Sequence, residues 1–404
     1  MSISILTATR ACLVLIACYV AVLAGGYGQK DGWLIEADGR PAETEFAGVR
    51  ATGELVRAGQ PAAAYDMAAH RAAFDAVIGR PKTTYYYAWP YPPHYLGVAW
   101  LLALLPYVAA ALALIAATLA LQAWAAVRII GNRDAALWVI ASPATFINAT
   151  VAHTGFLVAG LFGLGLATLP TSPVAAGVAF GLLAFKPQLG LLLPLALAAG
   201  GHWRAMAVAA VTVVLTGLLS LLAFGIEPWL AFLPQLDRVA GIFNSGKVNM
   251  LMMITFYGFA RSLGAGHGAA TIVQAAATIT LAVAVFRLWR SDAPYELKAA
   301  GLTVASLLAT PYLFPYDLTL LTVALLFLVR LSGPALLDQT EILTVLAGGL
   351  CLLLFGVLPF QAGLVATLMT GALVVRRWRQ LEIARRDRAI GWSRPPRAVL
   401  AGAI

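Results

Sequence analysis

The sequence predicts an all-α polytopic membrane protein, and three observations support this fold class. Of the 404 residues, 61% are hydrophobic and only 11% are charged, which is too few charges for the surface of a soluble protein. Apolar runs recur along the chain, and many approach the roughly 20 residues that a helix needs to cross a bilayer. The carboxylates are unevenly distributed, because eight of the eighteen acidic residues lie between positions 29 and 91.

The first apolar run covers residues 5–25 and predicts an uncleaved membrane helix. A signal peptide also begins with an apolar run, but here the run leads into further apolar runs of spanning length. The polar segment 29–91 follows it. In this segment, apolar residues recur at helical spacing with charged residues on the opposite side, which predicts an amphipathic helix on the membrane surface. The apolar positions are Phe46, Val49, Gly53 and Val56, and the charged ones are Arg50, Glu54 and Arg57. Residues 65–78 are a second candidate for such a helix, and the three prolines between residues 90 and 93 then exclude a helix.

The rest of the chain predicts further membrane helices, about twelve in all. The spans expected after the proline turn are 107–127, 135–151, 154–169, 205–224, 269–286, 299–311, 316–331, 342–355 and 362–375. Residues 174–199 are also apolar but contain Lys186-Pro187 at their centre. They predict two half-length helices that meet at membrane depth, where irregular backbone is tolerated only if it lines a cavity or is buried in protein.

The basic residues predict the orientation of these helices. Arginines and lysines concentrate in cytoplasmic loops, and one topology places nearly all of these short basic loops on that side with both termini. It leaves residues 29–91, 225–249 and 312–315 on the outer face. The chain is then one membrane domain, 1–379, with outer loops 27–94 and 225–250. A basic cytoplasmic tail, 380–404, follows and is expected to contact anionic lipid. The net charge of +9 therefore does not indicate nucleic-acid binding.

Several short motifs, taken together in their order and spacing, resemble glycosyltransferase family 87. The matching pieces are Thr44-Glu45-Phe46, Gly59-Gln60-Pro61 through Tyr65-Asp66, Tyr91-Pro92-Pro93, Thr154-Gly155-Phe156-Leu157, Phe185-Lys186-Pro187-Gln188, Gly201-His202-Trp203-Arg204, Thr310-Pro311-Tyr312 and Tyr316-Asp317. Two pieces differ from the family pattern. Glu45-Phe46 stands where the family usually has Asp-Phe, and Ala152-His153-Thr154 stands where it often has Gly-Gln-Asn.

The resemblance implies a GT-C fold and a membrane enzyme that uses a sugar linked to a polyprenyl phosphate. The sugar, a mannose-like hexose or a pentose, is expected to move with inversion to a lipid or glycan acceptor on the outer face of the inner membrane. Such a reaction needs a base near the acceptor oxygen, and a carboxylate can accept that proton. Glu45 is the candidate base. Its alternative role is to begin the amphipathic helix, where an acid is favoured by the helix dipole.

The donor phosphate needs a cation, and Lys186 is the first candidate because an ammonium in an apolar run is costly and usually functional. The alternative for Lys186 is that it snorkels to the headgroup level. Arg50 and Arg57 are further candidates, since a guanidinium binds phosphate oxygens in a bidentate way. His94, beside the proline turn, is also assigned to the donor side.

The candidate acceptor or sugar ligands are polar residues near the predicted outer ends of helices: Tyr91, His153, Asn249, Asp317 and Asp66. For Asp66 the alternative is an N-cap of the next helix, and for Asp317 it is a helix-start cap. No metal or other cofactor is expected, because the sequence shows no cluster of metal ligands. The expected partners are the polyprenyl-phosphate sugar, the acceptor and membrane lipids.

Two other functions remain compatible with the sequence. A helix break at membrane depth, as at Lys186-Pro187, is also found at the substrate sites of transporters, so a flippase of a lipid-linked sugar is the first alternative. A non-catalytic protein of envelope assembly is the second, because both departures from the family pattern fall in candidate site residues. The long acidic segment 29–91 favours the enzyme, since transport does not need it.

Overall fold

The structure is a computed structural model, and it describes residues 5–29, 32–81, 89–245, 249–333, 337–358 and 360–389. Within these ranges the regular structure is helical, with two isolated β-bridges and no strand, which confirms the all-α prediction. Asp31 and the end of the tail lie outside the described residues. The α-helices are α1 (Ile5–Gly26), α2 (Glu45–Arg57), α3 (Met67–Ile78), α4 (Leu96–Ala103), α5 (Tyr107–Ile130), α6 (Asp134–Ile140), α7 (Pro143–Val151), α8 (Gly155–Thr168), α9 (Pro173–Leu182), α10 (Leu193–Ala199), α11 (Trp203–Phe224), α12 (Glu227–Asn244), α13 (Phe256–Ser262), α14 (His267–Arg290), α15 (Tyr295–Ala309), α16 (Leu320–Ser332), α17 (Gln339–Leu353) and α18 (Ala362–Ala389).

Five segments of the described chain are long and apolar enough to cross a membrane. They lie in α1, α5, α11, α14 and the segment Pro315–Ser332, which joins a 3₁₀ turn to α16. Four shorter apolar segments add 155–168, 173–185, 187–199 and 339–353. The protein is therefore an all-α membrane protein. The expected number of about twelve spans stays a prediction, since helix length alone identifies fewer.

The segment 135–151 does not form the single span that its apolar composition predicts. It folds as α6 and α7, which are separated at Ala141 and Ser142, so this prediction was wrong. Pro143 is the first residue of α7, where its missing N–H removes no helical hydrogen bond. A proline within one continuous helix would have removed one. The break gives the chain a second irregular point, one helix before His153.

The amphipathic helix predicted after the first span is α2, but its apolar face is covered by protein. Phe46 and Val49 are buried, and α2 packs against α4. The two helices approach so closely at Gly53 that a Cβ there would collide with the Ala99 carbonyl oxygen. The Phe46 ring also meets the Tyr107 ring edge-on, with centroids 5.2 Å apart. The periodicity was interpreted correctly, while the expectation that this face lies on lipid was wrong.

The other polar regions are helical too, and α3 confirms the second helix predicted over residues 65–78. Helix α3 begins after Asp66, whose side chain accepts a hydrogen bond from the Ala69 amide at 2.8 Å. The predicted loop 225–249 is mostly the helix α12. Helix α18 continues past the expected domain boundary at residue 379 and ends at Ala389, so the first part of the predicted tail is helical.

The core brings the broken segment 173–199 next to the start of α16. Helix α8 packs against α5, α9 and α16, and it also contacts the 3₁₀ turn Pro315–Thr319 that precedes α16. Close approach is possible because α8 carries small residues on its contact faces. At Gly165, for example, a Cβ would lie 2.6 Å from the Phe180 ring of α9. This packing sets the position of the site described next.

Candidate active site

The segment 173–199 is broken where the sequence predicts it. Helix α9 ends in a 3₁₀ turn, Leu183–Phe185, and a second 3₁₀ turn, Pro187–Gly190, precedes α10. Lys186 joins the two turns with a non-helical backbone (φ −129°, ψ 69°). The following proline explains this conformation, because its ring disfavours the helical region for the preceding residue. The break therefore presents the Lys186 side chain inside the protein.

Lys186 forms a buried ion pair with Asp317. The Lys186 Nζ lies 2.7 Å from the Asp317 Oδ1, and each side chain is only 3% exposed. The ammonium is thus held within the protein, which excludes the snorkelling alternative. Burying two charges carries a desolvation cost that their attraction repays only with good geometry. A charged pair at this depth is weak evidence for stability and stronger evidence for a functional role.

Aromatic rings and a histidine surround this pair. The Lys186 Nζ lies 4.6 Å from the centroid of the Tyr316 ring and 6.0 Å from that of Tyr91. The first of these distances is typical of a cation–π contact. The His153 ring packs on Tyr316 with centroids 4.0 Å apart, and its Nε2 shares a 2.9 Å hydrogen bond with the Tyr91 hydroxyl. Lys186, Asp317, His153 and Tyr91 therefore form one buried cluster, hereafter the ion-pair site.

The connection between α7 and α8 fixes His153. Asn148 donates to the His153 carbonyl at 3.2 Å and accepts from the Gly155 amide at 3.3 Å, so its side chain bridges the turn. Ala152 has φ +50° and ψ +55°, a left-handed conformation that costs a non-glycine residue roughly 1–2 kcal/mol. The Thr154 hydroxyl completes the turn, at 3.2 Å from the His153 Nδ1. Strain of this kind persists where the surrounding structure fixes the backbone.

Glu45 belongs to the surroundings of this site. It is the first residue of α2, and its carboxylate interacts electrostatically with both the Lys186 ammonium and the Tyr91 phenol. The structure thus brings together five of the residues that the sequence singled out. Four of them, Tyr91, His153, Lys186 and Asp317, contact one another, and Glu45 acts on two of them.

Arg50 and Arg57 lie at a different place. Both guanidinium groups pair with Glu54, and they also donate to carbonyl oxygens at and just beyond the end of α4, Arg50 to Leu105 and Arg57 to Ala103. Carbonyl groups at the end of a helix lack helical partners and favour cations. The two arginines therefore attach α2 to α4, and the structure does not bring them to the ion-pair site.

The remaining candidates have other neighbours. Asp66 is the N-cap of α3, which is the alternative role that the sequence predicts for it. Asn249 is exposed, and its side-chain oxygen accepts from the Leu251 amide at 3.0 Å. His94 is half-buried beside Trp229, with ring centroids 6.5 Å apart.

Sequence reasoning missed a wall of aromatic rings next to Lys186. The Tyr95 ring stacks on Phe185 at 4.8 Å and lies 5.1 Å from Tyr91 and 5.7 Å from Trp89. It also missed Asn148, whose amide in an apolar run was a usable signal. Within the described ranges no group of three or more histidine, cysteine or acidic side chains is placed to bind a metal ion.

An apolar cavity of about 240 Å³ begins one turn beyond Asp317. Its walls are one face each of α16, α17 and α18, together with the break between α6 and α7. Along α16 the lining positions run from Leu321 to Val329, which is about 12 Å at 1.5 Å per residue. The cavity therefore extends along α16 away from the ion-pair site, and it has the shape and composition that suit a hydrocarbon chain.

The close approach of α8 to the turn before α16 allows a test of this geometry. A Cβ at Gly155 would collide with the Tyr316 carbonyl oxygen and lie 2.9 Å from the Asn148 Oδ1. We expect Gly155→Ala to push Tyr316 and Asp317 away from His153 and to reduce both activity and thermal stability. Gly217→Ala is the control, because its nearest neighbour is 3.9 Å away. Equal thermal midpoints for the two variants would contradict this packing.

The ion-pair site offers a cation, a carboxylate and neutral hydrogen-bonding groups, and the apolar cavity begins four residues after Asp317 along the chain. Such a set can hold an anion attached to a hydrocarbon and accept a proton from a reacting hydroxyl. Among known proteins, the model of glycosyltransferase family 87 matches residues 89–311, which is more than half of the chain. This match includes Tyr91, His153 and Lys186. Searches among curated proteins and among solved structures gave no match.

Proposed function

The chain belongs to glycosyltransferase family 87, and from this membership we propose that it transfers a sugar from a polyprenyl phosphate to a hydroxyl of a lipid or glycan acceptor. The membership makes it a membrane glycosyltransferase, and the donor, acceptor and mechanism are our proposal. The buried Lys186–Asp317 pair beside the apolar cavity is the observation that carries it.

In this proposal Lys186 binds the donor phosphate. Without substrate, Asp317 is the counter-ion of the buried ammonium, at 2.7 Å. A phosphate that enters the site brings its own negative charge, so the ammonium gains a second anionic partner and stabilises the phosphate as the leaving group. The Tyr91 hydroxyl and the His153 imidazole, which share a hydrogen bond, provide neutral groups for the phosphate or the sugar. Arg50, Arg57, Asp66 and Asn249 have no part in this step, because their side chains are engaged elsewhere or lie on the surface.

Glu45 is the proposed base. The acceptor oxygen attacks the anomeric carbon, and the bond from that carbon to the phosphate oxygen breaks. The acceptor proton moves to the Glu45 carboxylate, and the polyprenyl phosphate leaves. A single displacement of this kind inverts the anomeric configuration, as in inverting glycosidases. No step in this scheme requires a metal ion.

The cavity along α16 is the proposed position of the polyprenyl chain. It begins next to Leu321 and Thr322, one turn after Asp317, so a lipid whose phosphate binds Lys186 can extend into it. The GT-C fold, the twelve spans and the outer position of the site belong to the same proposal. The inner position expected for the basic loops supports the outer position of the site.

Filling the cavity tests the position of the lipid. Gly348 lines the cavity, and a Cβ there would meet Ala366 only at 3.8 Å, so the position has room for a larger side chain. We expect Gly348→Phe to raise KM about tenfold for a long-chain donor and to leave KM unchanged for a donor with a short prenyl chain. The control is Gly217→Phe, on a helix outside the cavity, which should change KM for neither the long-chain nor the short-chain donor. An unchanged KM for the long-chain donor in Gly348→Phe would contradict this position.

The direct test of the function uses purified protein in liposomes with a radiolabelled mannosyl polyprenyl phosphate, and separately with a pentosyl one. Transfer of label to an envelope lipid or glycan supports the proposal, and a nucleotide sugar should not replace the donor. Movement of the labelled donor across the vesicle membrane without transfer would favour a transporter instead. Absence of both transfer and movement with each donor would refute the proposal.

A further inference from the structure

On two neighbouring segments of the described structure, four buried polar atoms lack a hydrogen-bond partner. They are the His94 Nε2, the Tyr95 hydroxyl and both polar atoms of the Gln235 side chain. Gln235 is completely buried, and Tyr95 is 3% exposed. Native proteins leave few buried polar groups unpaired, because each one has given up its bonds to water without replacement. Four such atoms in one region therefore require an explanation.

These residues lie where α12 covers two short helices. Helix α12 packs on the 3₁₀ helix Pro61–Tyr65 and contacts the 3₁₀ helix Pro93–Tyr95. Trp229, Phe232 and Gln235 are three residues apart, so they share one face of α12. On that face Trp229 meets His94, with ring centroids 6.5 Å apart, and Phe232 meets Tyr65 at 5.7 Å. Gln235 follows Phe232 by three residues, so it lies next to the ring that packs on Tyr65.

The region is continuous with the ion-pair site. The Tyr95 ring stacks on Phe185, the residue before Lys186, with centroids 4.8 Å apart. The Tyr65 hydroxyl donates to the Tyr91 carbonyl oxygen at 3.0 Å, and the Tyr91 hydroxyl bonds to His153. The ring that carries the unpaired Tyr95 hydroxyl therefore adjoins the residue before Lys186.

The unpaired groups suit neutral hydroxyls better than a phosphate. Burial lowers the pKa of His94 and raises the pKa of Tyr95, so both side chains are neutral near pH 7. Gln235 is also uncharged, and an amide both donates and accepts hydrogen bonds, as a hydroxyl does. A phosphate needs donors and positive charge, which Lys186 provides.

We propose that Gln235, Tyr95 and His94 form a subsite that binds the hydroxyl groups of a sugar. This inference rests on the proposed function and deepens it. The sugar belongs either to the donor or to the acceptor, since both present hydroxyl groups next to the reacting bond. When the sugar binds, its hydroxyls satisfy the four atoms that lack partners in the empty protein.

The test compares two buried glutamines. Gln235→Leu removes two unpaired atoms and keeps the volume, so we expect the thermal midpoint to stay unchanged or to rise, while kcat/KM falls at least tenfold. Gln274→Leu is the matched control, because Gln274 is also buried but donates to the Leu308 and Ala309 carbonyls and accepts from the Tyr257 amide. Gln274→Leu should lower the thermal midpoint and leave KM unchanged for the donor and for the acceptor.

Tyr95→Phe provides a second variant that keeps the ring stack on Phe185 and removes only the unpaired hydroxyl. Its KM should rise for the same substrate as in Gln235→Leu. A higher KM for the donor assigns the subsite to the donor sugar, and a higher KM for the acceptor assigns it to the acceptor. Unchanged kinetics in both variants, or a loss of thermal stability in Gln235→Leu as large as in Gln274→Leu, would overturn the subsite.

A binding measurement separates this inference from the transfer reaction itself. Methyl glycosides at millimolar concentration should raise the thermal midpoint of the native protein and leave that of Gln235→Leu unchanged. This result supports the subsite even if the protein transfers no sugar in the assay. Two results would overturn the subsite. One is a stabilisation by methyl glycosides that persists in Gln235→Leu. The other is no stabilisation of the native protein together with unchanged kinetics in both variants.

Discussion

Lys186→Met is expected to abolish sugar transfer and to lower the stability of the folded protein by about 3–5 kcal/mol. The methionine has a similar length but no charge, so the Asp317 carboxylate remains buried without its counter-ion, at a position that is 3% exposed. Activity is lost for a separate reason, because the donor phosphate loses its cation. The measurements are the thermal midpoint in detergent and the transfer of label from the polyprenyl-phosphate donor.

The double variant Lys186→Met/Asp317→Leu separates these two effects. Replacing both members of a buried ion pair by apolar residues is often neutral or stabilising. We therefore expect the double variant to regain most of the lost stability and to stay inactive. Arg71→Met is the control, because Arg71 pairs with Asp75 at 3.8 Å on a helix surface and should affect neither property strongly. Transfer by Lys186→Met at the native rate would remove Lys186 from the mechanism.

Glu45→Gln is expected to reduce transfer by about 10²–10⁴-fold, the usual contribution of a general base. The glutamine keeps the size of the side chain and cannot accept the acceptor proton. The folded state should lose only about 0.3–1 kcal/mol, the usual value of an acid in the first turn of a helix. Glu45→Asp keeps a carboxylate on a shorter arm, so it should retain part of the activity. The measurement is the initial rate of transfer at saturating donor concentration for the native protein, Glu45→Gln and Glu45→Asp.

Glu54→Gln is the matched control for Glu45→Gln. Glu54 lies on the same helix and pairs with Arg50 at 2.7 Å and with Arg57 at 3.1 Å, away from the ion-pair site. Its replacement should weaken the attachment of α2 and leave the chemical step intact. If Glu45→Gln transferred sugar as fast as the native protein, the base would lie elsewhere. Asp317 would then be tested next, ahead of Asp66, whose carboxylate caps α3.

The local features of the fold could be predicted from the sequence. Apolar runs gave α1, α5, α11 and α14 within a few residues, because hydrophobicity and helix length are properties of the segment itself. The break at Lys186 was predictable for the same reason, since a proline restricts its own neighbour. The division of 135–151 into α6 and α7 was missed, although Pro143 in an otherwise apolar run is the residue that marks it.

The contacts between distant segments could not be predicted in the same way. Periodicity shows that one face of α2 is apolar, but it does not show that α4 rather than lipid covers this face. For the same reason, Arg50 and Arg57 looked free to bind phosphate, while in the fold they meet carbonyl groups at the end of α4. The sequence selected Lys186 as a costly cation in an apolar run and Asp317 as an acid near the outer end of a helix, and their pairing needed the structure.

The ion pair also has a consequence for biosynthesis. Lys186 precedes Asp317 by 131 residues. At about 5–20 residues per second, the ribosome reaches Asp317 roughly 7–26 s after it has made Lys186. During that time the lysine lacks its Asp317 counter-ion, and a lysine at the centre of a membrane helix costs about 2.5–3.5 kcal/mol. Any chain that stops before Asp317 lacks this ion pair, so we expect truncated products to insert less well than the complete protein.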